Sequence, residues 1–259
     1  MNSPWLILVG VAAGVFAGLF GIGGGIIIVP ALILFAGFPL VKATGTSLAA
    51  ILLPVGILGV IAYARAKVID LRGSAYLAAG LLTSVAAGAW LANTLPVDLM
   101  RKLFALFCLY VSWNFIDPVR RVRTWLGREV LVVTEPEGDH RPSPVSLVGI
   151  GLLAGVMAGM FGIGGGNIIV PLLTLALHYP AKRAIATSLG AILFPFGIPG
   201  VLYYLREGNL DLGAAAWIAA GLFIGTVFGA LITISLPSRT VKWLYGLFLL
   251  FVAVRFFFF

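Results

Sequence analysis

Ten apolar runs alternate with short polar breaks along the chain: 5–20, 24–37, 43–63, 73–93 and 102–116, then 146–161, 165–178, 184–204, 212–234 and 240–259. A helix needs ~17–25 apolar residues to cross a hydrocarbon core ~30 Å thick. The third, fourth and last runs of each half mostly meet that length, with 102–116 marginal. The first two do not: 5–20 and 24–37 rise only ~24 and ~20 Å as helix. Joined straight, 5–37 would extend ~50 Å, too far for one crossing. Between them lies Gly21-Ile22-Gly23-Gly24-Gly25, the poorest helix-forming stretch of the half. The pattern predicts a helical hairpin with its glycine tip inside the membrane, where broken backbone survives only if protein or water surrounds it.

The chain is a repeat. Gly14 to Pro30 reads GVFAGLFGIGGGIIIVP and Gly155 to Pro171 reads GVMAGMFGIGGGNIIVP, an offset of 141 residues. That offset holds without a gap from 14 to 108, and nearly half of those positions are identical. Thr46-Ser47 matches Thr187-Ser188, Pro54 and Gly56 match Pro195 and Gly197, and Asp70 matches Asp211. Three regions follow: a first membrane repeat (1–116), a basic linker (117–144) with no counterpart, and a second repeat (145–259). Five segments per half is odd, so the second copy is expected upside down. That arrangement collects Arg65, Lys67, Arg72, the linker arginines, Lys182 and Arg183 on one side. Positive charge gathers in the cytoplasm, which puts 64–72 and the linker there and both termini outside. The expected fold class is all-α: a polytopic membrane protein of two inverted-topology repeats, each a broken or re-entrant hairpin followed by three spans.

Composition narrows the functions. The chain of 259 residues is 61% hydrophobic and 10% charged, with mean hydropathy +1.12. Soluble domains carry about 25% charged residues, so a water-soluble enzyme is excluded. The net charge of +8 fits cytoplasmic loops better than a nucleic-acid partner. The single cysteine, Cys108, allows no internal disulfide and no thiolate metal cluster. The first residues lack the basic region of a signal peptide, so a retained first span is expected.

The conspicuous residues each admit two readings. Gly23, Gly24 and Gly25, with Gly164, Gly165 and Gly166, either allow a tight helix-to-helix turn or present the uncapped N–H groups of a half-helix to an anion. Nucleotide binding is a poor fit, because no strand precedes and no P-loop lysine follows. Thr46, Ser47, Thr187 and Ser188 either bond nearby carbonyls and helices or offer neutral donors to a substrate. Asn167 faces Ile26 across the repeat and could cap its helix or contact a ligand. Pro54 and Pro195 suggest that the third run of each half is bent. Gly10, Gly14 and Gly18, their mates Gly151, Gly155 and Gly159, and Gly221, Gly225 and Gly229 form small-residue faces for close packing. The partner of those faces lies within the chain or in a second copy, which keeps a homodimer open. Asp70 and Asp211 sit at span ends, where capping and ion pairing are expected. No acidic or histidine relay, triad or ligand cluster stands inside a run.

The paired GxFGIGGGxxxVP segments resemble the sulfite exporter TauE/SafE family of membrane transporters, over roughly 5–116 and 146–259. The resemblance implies transport of a small anion such as sulfite, sulfoacetate or another organosulfonate. It carries over to the two glycine motifs, the Thr-Ser pairs and Asn167. The expectation is a non-enzymatic secondary transporter, an exporter, in the inner (plasma) membrane, with no cofactor and no metal. Its partners are the small anionic substrate and membrane lipid. A channel-like permease for small solutes is the alternative.

Overall fold

The computed structural model describes residues 4–52, 56–116 and 142–258. Most of the 117–144 linker, His140, Pro54 and the first three residues lie outside that set. The described residues form twelve α-helices and no strand. The first half holds α1 (Leu6–Phe20), α2 (Gly25–Ala36), α3 (Leu40–Leu52), α4 (Ile57–Arg65), α5 (Leu71–Thr94) and α6 (Val97–Ile116). The second holds α7 (Pro144–Phe161), α8 (Gly166–Leu175), α9 (Ala181–Leu193), α10 (Ile198–Arg206), α11 (Leu212–Ser235) and α12 (Ser238–Phe258).

Local chemistry explains the boundaries. α1 and α7 each end on a left-handed glycine, Gly21 (φ 67°) and Gly162 (φ 63°), whose N–H closes onto Ala17 and Ala158. That conformation carries little steric penalty only for glycine. α5 and α11 begin where the Asp70 and Asp211 carboxylates accept from the N–H of Gly73 and Ala214, as expected of aspartates at span ends. The third run of each half is split, giving six helices where five runs were expected. α9 and α10 meet at 53° across Pro195, and α3 and α4 are bent by 50°. Phe194, just before the proline, is extended, as a pre-proline residue tends to be. α6 starts before its apolar run, directly after Pro96, with Asp98 in its first turn. An acidic group there is favoured by the helix dipole. α7 is 18 residues long because Ser143 caps it and Pro144 opens it. α5, α7 and α11 are long and apolar enough to cross a membrane, and the number rises to five if each bent pair is one span.

The halves are interleaved. α1 lies along α11, and α5 along α7, each pair running in the same direction. A Cβ at Gly14 would fall 2.9 Å from the Gly225 Cα, and one at Gly18 2.7 Å from the Ala230 nitrogen. On the other pair, Gly80 and Gly88 meet Gly151 and Gly159 backbone to backbone. The small-residue faces therefore find their partners within the chain. α6 and α12 pack on each other, and the Ser112 hydroxyl donates to the Gly246 carbonyl at 2.8 Å. Many large apolar side chains of the long helices point outward, among them Phe223, Phe228, Leu82 and Trp90. Such a surface suits lipid.

Candidate functional site: the glycine junction

The two glycine stretches are breaks, not continuous helix. Gly21, Gly23 and Gly24 have φ of 67°, 75° and 84°, and Gly162, Gly164 and Gly165 have 63°, 77° and 76°. α2 and α8 then begin with no side-chain cap on Gly24 or Gly165. Their first backbone bonds run from Ile27 and Ile28 to the Gly24 carbonyl, and from Ile168 and Ile169 to that of Gly165. The amides of Gly25, Ile26, Gly166 and Asn167 therefore stand ahead of the ladder, at the positive ends of the two short helices.

The breaks lie at mid-helix depth and touch. A Cβ at Gly24 would come 3.0 Å from Leu222, near the middle of α11, and one at Gly165 2.9 Å from Leu81, near the middle of α5. Built at Gly23, it would stand 3.4 Å from the Gly164 Cα; built at Gly164, 3.3 Å from the Gly23 Cα. Gly25 fits against the Gly162 carbonyl and Ile163, and Gly166 against the Gly21 carbonyl and Ile22, with no room for a side chain.

Reciprocal hydrogen bonds hold this junction. The Ser47 hydroxyl donates to the Gly162 carbonyl at 2.6 Å, and Ser188 to the Gly21 carbonyl at 2.8 Å. The Asp211 N–H donates to the Thr46 hydroxyl at 3.0 Å, and the Asp70 N–H to that of Thr187 at 3.1 Å. The serines thus line the junction, the threonines reach from it to the caps of α11 and α5, and in this conformation both pairs tie each half to the other. Tyr63 and Tyr204 add a third matched pair, donating to the carbonyls of Gly18 and Gly159 at 2.7 Å. These tyrosines match at the 141-residue offset, and that repetition is the one mark they carry in the sequence.

Asn167 breaks the symmetry. It is fully buried, and neither its Nδ2 nor its Oδ1 has a hydrogen-bond partner among the described residues. It does not cap α8. Its mate, Ile26, is buried and apolar. A buried amide without partners costs about 1–3 kcal/mol. Beside Gly23, a cavity of about 10 Å³ is lined by Ala17, Ile51, Leu189, Leu222 and Thr226, room for roughly one water. Gly21 to Ile26 and Gly162 to Asn167 are all buried.

At one end of the molecule, the Asp70 carboxylate also accepts from the Tyr179 hydroxyl at 2.8 Å and lies 3.5 Å from Arg183. Partial burial pushes this carboxyl up. The Gly73 N–H, the Tyr179 hydroxyl, the Arg183 charge and the Arg72 N–H together outweigh it and hold the group below its ordinary value. Burial, followed by the bond to Asp70, pushes the Tyr179 hydroxyl up. His178 lies in the loop between α8 and α9. No group of three metal-ligating side chains occurs among the described residues.

The chain has relatives along its length. It is 26% identical over 253 residues to the probable membrane transporter protein YunE of Bacillus subtilis, covering 93% of this chain and 92% of that one. It is 31% identical over 274 residues to a probable membrane transporter protein of Haemophilus influenzae, covering 97% and 96%. A probable membrane transporter protein of Methanocaldococcus jannaschii is 31% identical over 212 residues, covering 80% and 73%. No solved structure matches the chain. The sequence model of the family described as "Sulfite exporter TauE/SafE" matches residues 6–256, and the chain belongs to this family of membrane transporters rather than to any class of enzyme.

Proposed function

We propose that this protein exports a small anion, such as sulfite or an organosulfonate, across the plasma membrane and holds it at the glycine junction. The observation that carries the reading is the meeting of two uncapped half-helix N-termini beside a buried asparagine with no partner. Transporters built of inverted repeats use such half-helix ends to hold anionic groups near the midplane. The binding set is Gly23, Gly24, Gly25, Gly164, Gly165 and Gly166 through their amides, Asn167 through its Nδ2, and Thr46, Ser47, Thr187 and Ser188 through their hydroxyls. The serines and threonines reach the anion by exchanging their present carbonyl and amide partners as the junction opens.

The two repeats (1–116 and 145–259, joined by 117–144) are inverted in this reading, with the linker and 64–72 in the cytoplasm. The parallel course of α1 with α11 and of α5 with α7 supports it, because a hairpin followed by a bent crossing sends α1 and α5 in opposite directions. A cell that is negative inside expels a monoanion with ~2.3 kcal/mol per 100 mV, so export needs no intramembrane acidic relay. Rocking of one half against the other would open the junction to each side in turn.

The test is flux of sulfite and of short sulfonates in proteoliposomes at imposed potentials. Saturable flux that follows the potential and is stimulated by substrate on the far side is expected. Flux without that stimulation would favour the channel-like permease. Absence of anion flux in folded protein would sink the proposal.

A further inference from the structure

A polar cavity of about 590 Å³ lies where α5 and α7 begin side by side. Its wall includes Arg72 and Tyr76 from the first turns of α5, Ser143 at the cap of α7, and Arg183 from the first turn of α9. It lies one side of mid-membrane: from Leu71 to Leu81, the level of Gly165, α5 climbs ~15 Å.

Among the described residues, the charges around the cavity do not cancel. Asp70 is its acidic member, and both its oxygens are occupied: Oδ1 by the Gly73 N–H, and Oδ2 by the Tyr179 hydroxyl and, at 3.5 Å, by Arg183. Arg183 is held in place by Tyr179, whose ring centroid is 4.9 Å from its guanidinium carbon. A guanidinium has five donors, and among the described residues this one spends a single long contact on Asp70. Arg72 makes no ion pair with any described residue. Two arginines, one from each half of the chain, therefore face one cavity with donors to spare. The other half does not repeat the feature: Gly213 stands where Arg72 does, and Phe38 where Tyr179 does.

We propose that this cavity binds a small tetrahedral oxyanion (sulfonate, sulfate or phosphate) between Arg72 and Arg183, with the Ser143 and Tyr76 hydroxyls beside it. The arginine fork can donate two parallel N–H groups to two oxygens of such an oxyanion. A positive cleft of this kind concentrates anions at the mouth of the protein. The oxyanion comes either from solution or from the headgroup of an anionic phospholipid. None of its lining residues belongs to the binding set of the glycine junction, although the Thr187 hydroxyl accepts from the N–H of Asp70.

Full-length protein in lipid-free detergent is melted with sodium sulfate, methanesulfonate or inorganic phosphate against sodium chloride at matched ionic strength. Separately, retained phosphatidylglycerol is counted by native mass spectrometry. A saturable upward shift in melting with the free anions that Arg72→Gln removes assigns the source to solution, and one tightly retained phosphatidylglycerol assigns it to lipid. In either arm Arg72→Gln and Arg183→Gln should weaken apparent affinity at least about tenfold, while Asn167→Leu should leave it unchanged. Arg72→Gln decides alone if Arg183→Gln fails to fold, since the Arg72 side chain pairs with no described residue. Binding in neither arm, or binding that Arg72→Gln leaves intact, overturns the proposal. Loss of flux in Asn167→Leu with this binding intact separates the two sites.

Discussion

Ser47 and Ser188 each end on a carbonyl owned by the other half, at 2.6 and 2.8 Å. Ser47→Ala strips the buried Gly162 carbonyl of that donor and should lower stability by about 1–3 kcal/mol, read as a drop in thermal midpoint in detergent. Asn167 should behave in the opposite way. Replacing an amide that has no partner with an apolar group of similar size removes a desolvation penalty, so Asn167→Leu should melt no lower than the parent and still lose anion flux. A lower midpoint would mean that the amide has a partner in the resting protein. Asp70 supplies a pH dependence with a definite sign. Its carboxyl is held below its ordinary value, so its contribution is complete above the usual aspartate pKa of ~3.9 and fades as pH falls through the lower folded value. Asp70→Asn should flatten that acid limb in melts taken as pH falls below ~3.9.

At the scale of helices, much was legible and some was not. The hairpins at Gly21 and Gly162 and the bend at Pro195 follow from residues that refuse helix, and refusal is local. The start of α6 at Val97 and the extra turn of α7 were hidden, because apolar runs do not register caps such as Ser143 or first-turn acids such as Asp98. The spacing of Gly10, Gly14 and Gly18 foretold a close neighbour without saying that it is α11, since any small-residue face would serve. The junction itself was half visible: the motif marked the breaks, but the exchange of Thr-Ser partners between halves depends on tertiary placement alone. The glycine faces are now testable. A side chain at Gly14 would overlap Leu222 and Gly225 backbone, so Gly14→Leu should force α1 off α11. Overpacking typically costs about 1–3 kcal/mol and occasionally more; backbone overlap puts this variant at the upper end or beyond. Loss of the monodisperse peak on size exclusion would register it. Gly149→Leu, where open space surrounds the added Cβ, is the matched control.

At the scale of the molecule, the inverted arrangement makes a topological claim. Lys67 and Gly208 occupy equivalent turns, with φ of 56° and 70°. Single cysteines there, in a variant lacking Cys108, should be labelled by an impermeant maleimide from opposite sides of right-side-out vesicles, with Lys67 on the cytoplasmic face. Labelling of both from one side would leave the repeats parallel. The interleaving also reaches back to how such a chain could have arisen. When each half supplies the hydroxyls that the other half lacks, a solitary half has bare carbonyls and a naked glycine stripe, whereas two of them complete one another. A polypeptide severed within 117–141 and produced as two separate pieces in one cell should therefore reassemble into a working unit, and neither piece should persist without its sibling.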